Sequence, residues 1–311
     1  MFRKRMFLYF SLTMLLAVSF AYYKKDKSSK VEMITLEPKV KAQVATAKIN
    51  DVLHEQDCAD QIYRFFSKGV QKFPIVETIT YTSRVPWLNG RPAWISDYAS
   101  KYETSRHFIA RSLNGKTDYD LQKVSPGDQF NVLNPEKNIT FHLVLDLSRC
   151  NLFFSYVDEE NGEEVLIKQY KVSPGKKDAH SPSGSLTPLG KYKLGEKVAV
   201  YTPDSVTYFE NQKRNAIEIF GNRWIPFAEE IENCTDSAKG YGLHGLPLVL
   251  NEETGKYEEN ITLLGKYESN GCIRLAAEDV KELFSIIITK PTYVEIVKEL
   301  DSAHRIFAKK D

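Results

Sequence analysis

Apolar residues change their spacing along the chain, and each change predicts a different element. Met6 to Tyr23 runs 18 residues without a charge, behind Arg3, Lys4 and Arg5 and ahead of Lys24, Lys25 and Lys27. A basic head, an apolar run and a polar continuation read as an export signal, either cleaved or kept as an anchor. As a helix this run would be about 27 Å long, close to the thickness of a bilayer's hydrocarbon core. Residues 24–50 are polar and Lys-rich and read as a tether. From Val52 to Phe73 the positions Cys58, Ile62, Phe65, Phe66 and Val70 fall three and four apart, which predicts an amphipathic helix.

The next stretch mixes both periods. Tyr81–Val85 is a candidate strand, and Trp94–Tyr102 has helical spacing at Ile95, Tyr98 and Tyr102. Thr104-Ser105 can cap a second helix carrying Phe108, Ile109 and Leu113, which Asn114-Gly115 stops. Val124 to Asp128 reads as a turn, and Gln129–Leu133 as a closing strand. From Ile139 the texture becomes β. Strands are predicted at Thr140–Leu147, Asn151–Val157, Val165–Val172, Ile217–Phe220, Trp224–Phe227 and Tyr293–Val297. One late helix is predicted where Val280, Leu283, Phe284 and Ile287 repeat at i, i+3, i+4 and i+7, ending before Pro291. The fold class is therefore mainly β (α+β): a β-rich domain over 139–299 behind a small βααβ module over 81–135. Residues 1–23 are the signal or anchor, 24–80 the tether and helix, and 300–311 a C-terminal tail.

Composition narrows the functions. The 42 Lys and Arg against 41 Asp and Glu leave a net charge of +1, which gives a nucleic-acid partner no electrostatic footprint. Four cysteines in 311 residues, with no C-x-x-C, make neither a disulfide scaffold nor a zinc or thioredoxin-type site. No metal and no cofactor is expected. Cys58, Cys150 and Cys234 leave room for one disulfide in an oxidising compartment.

Two segments carry the chemistry. Tyr241-Gly242-Leu243-His244-Gly245 sets a histidine between glycines, and Ser269-Asn270-Gly271-Cys272-Ile273-Arg274-Leu275 sets a cysteine after a glycine with an arginine two residues on. A thiolate is a nucleophile that an imidazole can stabilise, and backbone N–H groups at Gly271 and Cys272 can face a developing oxyanion. Arg274 can grip a substrate carboxylate. Together these residues suit acyl transfer.

The two segments resemble the L,D-transpeptidase (YkuD) catalytic domain. Thr140 to Phe154, Thr187-Pro188-Leu189-Gly190-Lys191-Tyr192 and Phe220 to Trp224 are similar to other stretches of that family, so the likeness spans about 139–299. It implies Cys272 as nucleophile, His244 as base, the Gly271 and Cys272 amides as oxyanion hole, Ser269 and the Gly245 carbonyl as groups that orient the imidazole, and Arg274 as the substrate-binding residue. The implied reaction is acyl transfer on peptidoglycan stem peptides, with loss of a terminal D-alanine and a 3→3 cross-link. Water as acceptor would make it an L,D-carboxypeptidase, and a wall-binding protein without catalysis is the non-enzyme alternative. Two departures stand out: Asn270 replaces a common histidine, and 28 positions separate His244 from Cys272, with the extra polar material in Leu246–Glu268 expected as a hairpin or lid. A His244–Cys272 ion pair is expected, with activity falling at high pH. Upstream, Tyr98 to Ser105, Asn114-Gly115 and Val124 to Leu133 resemble a LysM module, although Asn89-Gly90-Arg91-Pro92 stands where that family opens with G-D-T. The implied partner is peptidoglycan and its glycan strand. The implied location is the periplasm or cell envelope, with membrane contact only through residues 6–23.

Overall fold

The computed structural model describes residues 60–116, 119 and 123–303. The export segment, the tether, Cys58, the start of the helix expected from Val52 and the tail from 304 lie outside the described residues. Among the described residues, no helix is long and apolar enough to cross a membrane.

The chain enters through a single helical turn, α1 (Tyr63–Phe66), which buries Phe65 and Phe66. The long helix expected through Phe73 stops here. Ser67 turns extended (ψ 150°) and Gly69 takes φ +90°, so Val70 points fully to solvent while Phe73 returns to the core. Periodicity alone could not see that the Lys68-Gly69 pair breaks the register.

Strand β1 (Val76–Thr80), helices α2 (Ile95–Lys101) and α3 (Arg106–Ser112) and strand β2 (Gln129–Leu133) follow, with β1 and β2 antiparallel. Ser105 caps α3 by accepting from the His107 N–H at 3.0 Å. The strand expected at Tyr81–Val85 lies one segment earlier. After Tyr81 the backbone turns off the ladder, and the Tyr81 hydroxyl donates to the Ala93 carbonyl while Tyr98 donates to the Thr82 carbonyl. Tyr81, Val85, Tyr98, Ile109, Phe130 and Val132 form the small core of this βααβ segment.

Strands β3 (Ile139–Asp146), β4 (Asn151–Asp158), β5 (Glu163–Lys171), β6 (Gly190–Leu194), β7 (Ala199–Val200), β10 (Arg223–Glu232), β11 (Gly242–Gly245), β14 (Ile273–Leu275) and β15 (Thr292–Val297) build a nine-stranded mixed sheet, while β8 (Val206–Phe209) pairs with β9 (Gln212–Asn215) in a separate hairpin. Its order is β14-β11-β10-β6-β15-β3-β4-β5, with β7 on β10. Two pairs are parallel, β15 with β3 and β11 with β14. The long helix α5 (Ala277–Ile287) buries Val280, Leu283, Phe284 and Ile287 against the sheet, as its spacing predicts. Each such side chain contributes about 1.5–3 kcal/mol of burial. Phe65, Phe73, Phe108 and Leu133 from the upstream segment join this same core, so no gap in packing separates the two.

The segment Ile217–Phe220, expected as a strand, is a helical turn, α4. Its alternation of Ile and Glu suits a strand, but the Asn215 side chain accepts from the Ile217 N–H (3.2 Å) and Gly221 closes the turn at φ 61°. Local capping overrides the period.

Candidate active site

The order of the strands brings the two motifs together. β11 lies parallel to β14 with Leu243 opposite Ile273, His244 opposite Arg274 and Gly245 opposite Leu275. Directly paired residues share a face of the sheet, so His244 and Arg274 are neighbours although 30 positions apart in sequence. Cys272 sits one residue before β14, in the loop from Ser269.

His244 is 3% exposed. Phe220 meets its ring edge-on at 5.4 Å, and Trp224, paired with it across β10, lies 5.8 Å away. Its Nδ1 stands 2.7 Å from the Gly245 carbonyl. A carbonyl only accepts, so Nδ1 carries the proton and Nε2 is the basic nitrogen of the neutral ring. Burial pushes the imidazole down to about 3, helped by the charge of Arg274; the Gly245 and Phe220 carbonyls oppose the shift. Burial likewise pushes the Cys272 thiol up to about 11, with the Gly242 backbone and Arg274 pulling the other way. The thiol faces the Gly240 carbonyl at 3.7 Å. At neutral pH both shifts favour a neutral thiol and a neutral imidazole over the expected ion pair. Their common cause is burial, which penalises each charge; at His244 the Phe220 and Trp224 rings supply part of it.

The Ser269–Cys272 loop is closed by its own groups. Ser269 Oγ donates to the Cys272 carbonyl and accepts from the Gly271 N–H at 3.0 Å. The serine is thus committed to the loop rather than to the imidazole, and the Gly271 N–H is occupied rather than facing an oxyanion. Of the two groups expected to orient His244, the structure brings only the Gly245 carbonyl to the ring. Gly271 takes φ +122°, and a Cβ there would come within 2.6 Å of the Tyr241 ring and 2.9 Å of the Leu186 carbonyl. No other residue fits that position.

Arg274 is half-buried and exchanges both backbone hydrogen bonds with Ser173 (2.8 and 3.0 Å). Its Nη1 approaches the Glu268 carbonyl at 3.4 Å, and among the described residues no carboxylate lies within ion-pair distance of it. Burial lowers its pKa from the ordinary value. The guanidinium is thus held beside the cysteine and histidine without a bonded carboxylate, which suits capture of an external one.

The extra segment before the cysteine forms a hairpin, β12 (Leu248–Asn251) and β13 (Lys256–Glu259). Its base is tied down: the Tyr257 hydroxyl accepts from the Asn215 side chain (3.3 Å), and Glu259 accepts from the Ala277 N–H (2.8 Å) at the start of α5. That carboxylate caps the helix which follows β14. Cys150, Cys234 and Cys272 are all free thiols, so no disulfide forms among them. Among the described residues no group of His, Cys, Asp and Glu is arranged to hold a metal ion.

Sequence reasoning missed the residues behind the cysteine loop. Thr187 bonds the Gly271 carbonyl, Gly175 packs closely on Gly271, and Ser185 braces Gly175 and Thr187. Tyr241 lies against Gly271 with its hydroxyl on Asp236 (2.9 Å). Thr187 was visible in the T-P-L-G run, which reads as a turn until its tertiary partner is known.

The profile of the L,D-transpeptidase catalytic domain (YkuD) matches residues 140–296, just over half of the chain. The chain belongs to that family. No curated protein sequence matches it significantly. Among solved structures it is similar to Bd1075 of Bdellovibrio bacteriovorus, at 17% identity and a TM-score of 0.33, over 51% of this chain and 48% of that one. It is also similar to the helical cell shape determining protein Pgp2 of Campylobacter jejuni, at 17% identity and a TM-score of 0.34, over 56% of this chain and 51% of that one. The chain thus spans about half the length of the solved structures it matches.

Proposed function

We propose that the chain is an L,D-transpeptidase of peptidoglycan stem peptides, with Cys272 as nucleophile, His244 as base and Arg274 as the carboxylate grip. The observation that carries this is the β11–β14 register, which sets His244 opposite Arg274, two residues after Cys272, in a family whose reaction is acyl transfer. The thiol turns from the Gly240 carbonyl to His244 Nε2. As Sγ attacks the carbonyl of the third stem residue, usually meso-diaminopimelate, the S–C bond forms, the carbonyl π electrons move to oxygen and the thiol proton passes to Nε2. The oxyanion collapses, the C–N bond to D-alanine breaks, and His244 returns that proton to the departing amine. A side-chain amine of a second stem then attacks the thioester. Its proton passes through His244 to sulfur as the C–S bond breaks, leaving a 3→3 cross-link.

The βααβ segment from β1 to β2 (residues 76–133), which corrects the expected span of 81–135 at its first strand, is, in this proposal, a LysM-like glycan-binding module. Residues 1–23 are the export signal or anchor, and the enzyme works in the periplasm or cell envelope. The test is mass spectrometry of the protein incubated with disaccharide-tetrapeptides. A cross-linked dimer lacking one D-alanine supports the transpeptidase, and tripeptide alone makes it a carboxypeptidase. Unchanged tetrapeptide contradicts both.

A neutral resting pair fixes the pH dependence. His244 stays neutral above about pH 3 and the thiol stays protonated below about pH 11. The acylation rate at fixed substrate, read as D-alanine release in single turnover, is therefore expected to be level from about pH 5 to 9 and to fall above that as the thiol loses the proton that His244 must hand to the departing amine. A bell with both limbs inside that range would show a preformed ion pair instead.

A further inference from the structure

We infer that Thr187 is a positioning residue for acylation, fixing the Cys272 amide as the oxyanion donor; this rests on the acyl-transfer reading above. Thr187 is fully buried. Its hydroxyl donates to the Gly271 carbonyl at 2.8 Å and accepts from the Gly175 N–H at 2.7 Å. Its own N–H donates to Ser185 Oγ (3.1 Å), which in turn donates to the Gly175 carbonyl (2.7 Å). The Thr187 hydroxyl thus clamps the 175–187 segment onto the cysteine loop, and the Ser185 hydroxyl braces that segment from within.

The clamp acts on one peptide plane. The Gly271 carbonyl and the Cys272 N–H belong to the same trans peptide and point to opposite sides of it. Holding the carbonyl from one side therefore aims the N–H to the other. The Gly271 N–H is already occupied by Ser269, whereas the Cys272 N–H, on the nucleophile's own residue, makes no backbone hydrogen bond among the described residues and is placed to meet an oxyanion. Oxyanion stabilisation depends on donors that are aimed before the charge develops, and Thr187 supplies that aim. The approach is close: a Cβ on Gly175 would come within 2.9 Å of the Gly271 Cα and 2.7 Å of the Thr187 nitrogen. The two loops can meet at this distance only with glycine on both sides. The hydroxyl bonds the Gly175 N–H and the Gly271 carbonyl rather than the thiol or the imidazole, so its effect passes through the amide.

Thr187→Val keeps the shape and deletes the hydroxyl. Two reactions of Cys272 separate the roles, both followed by intact-protein mass. Alkylation by iodoacetamide displaces iodide and develops no oxyanion. Acylation by disaccharide-tetrapeptide does develop one. The expected result is an alkylation rate within about twofold of the parent protein and an acylation kcat lowered about 10- to 100-fold with little change in KM, with Thr187→Ser restoring most of it. Ser185→Ala, one bond further out, is expected to give a smaller loss of the same kind and serves if the valine variant fails to fold. Equal loss in both reactions, or no loss in acylation, overturns the assignment. If the parent protein alkylates at Cys272 but is never acylated, the acyl-transfer reading itself falls.

Discussion

Cys272→Ala is expected to lower D-alanine release by about four orders of magnitude or more, to the uncatalysed background. The reason is chemical rather than structural. No other thiol lies in the Ser269–Arg274 loop, and the reaction proposed here passes through a bond to sulfur. The thiol's hydrogen bond to the Gly240 carbonyl is long, 3.7 Å. Truncating it removes little packing, so the variant should unfold within about 1 kcal/mol of the parent in urea. Binding of the tetrapeptide should persist, because Arg274 and the loop around Gly271 stay in place. A variant that retained even a hundredth of the rate would move the nucleophile elsewhere.

Glu282→Leu is expected to cost about 3–5 kcal/mol of stability. Glu282 is buried on α5 and accepts from three donors: Arg111 Nη2 at 3.0 Å, Lys168 Nζ at 2.6 Å and the Tyr170 hydroxyl at 3.0 Å. Lys168 keeps Asp60 and Asp279 within 3.2 and 3.6 Å when the glutamate is gone. Arg111, 3% exposed, has no such substitute, and its Nε and Nη1 already lack partners. Leucine therefore strands a buried guanidinium. Arg111 lies on α3 of the βααβ segment and Glu282 on the helix that follows the catalytic strand, so this pair also ties the two together. Arg111→Met combined with Glu282→Leu should recover a large part of the loss. A urea titration of the parent, both single variants and the double variant measures this. If the double variant is as unstable as the two single losses summed, the pair is not the source.

The sequence already carried the parts of the fold governed by a single period. Helix α5 showed its buried face at Val280, Leu283, Phe284 and Ile287, and β3, β4, β5 and β15 showed as apolar β runs. The errors fall where a local feature overrides the period. Gly69 ends the entry helix early, Asn215 and Gly221 wind Ile217–Phe220 into a turn, and the tyrosine hydroxyls at 81 and 98 pull the chain off the ladder after β1. The site was legible as two motifs, but nothing in one dimension showed that His244 and Arg274 pair across parallel strands. Nor could it show that Ser269 turns inward to its own loop, that Thr187 reaches the Gly271 carbonyl 84 positions away, or that burial leaves thiol and imidazole both uncharged. Each of those depends on distance and solvent exclusion, which only the folded chain defines.

The central claim is that Cys272 takes an acyl group from a stem peptide. The measurement that tests it most directly is the intact mass of the protein mixed with disaccharide-tetrapeptide and quenched in acid, followed by peptide mapping. The account predicts an adduct equal to the tetrapeptide donor less D-alanine, carried on the peptide containing Cys272 and absent from Cys272→Ala. An unmodified Cys272 peptide alongside turnover of the donor, or the same adduct on another residue, would contradict it.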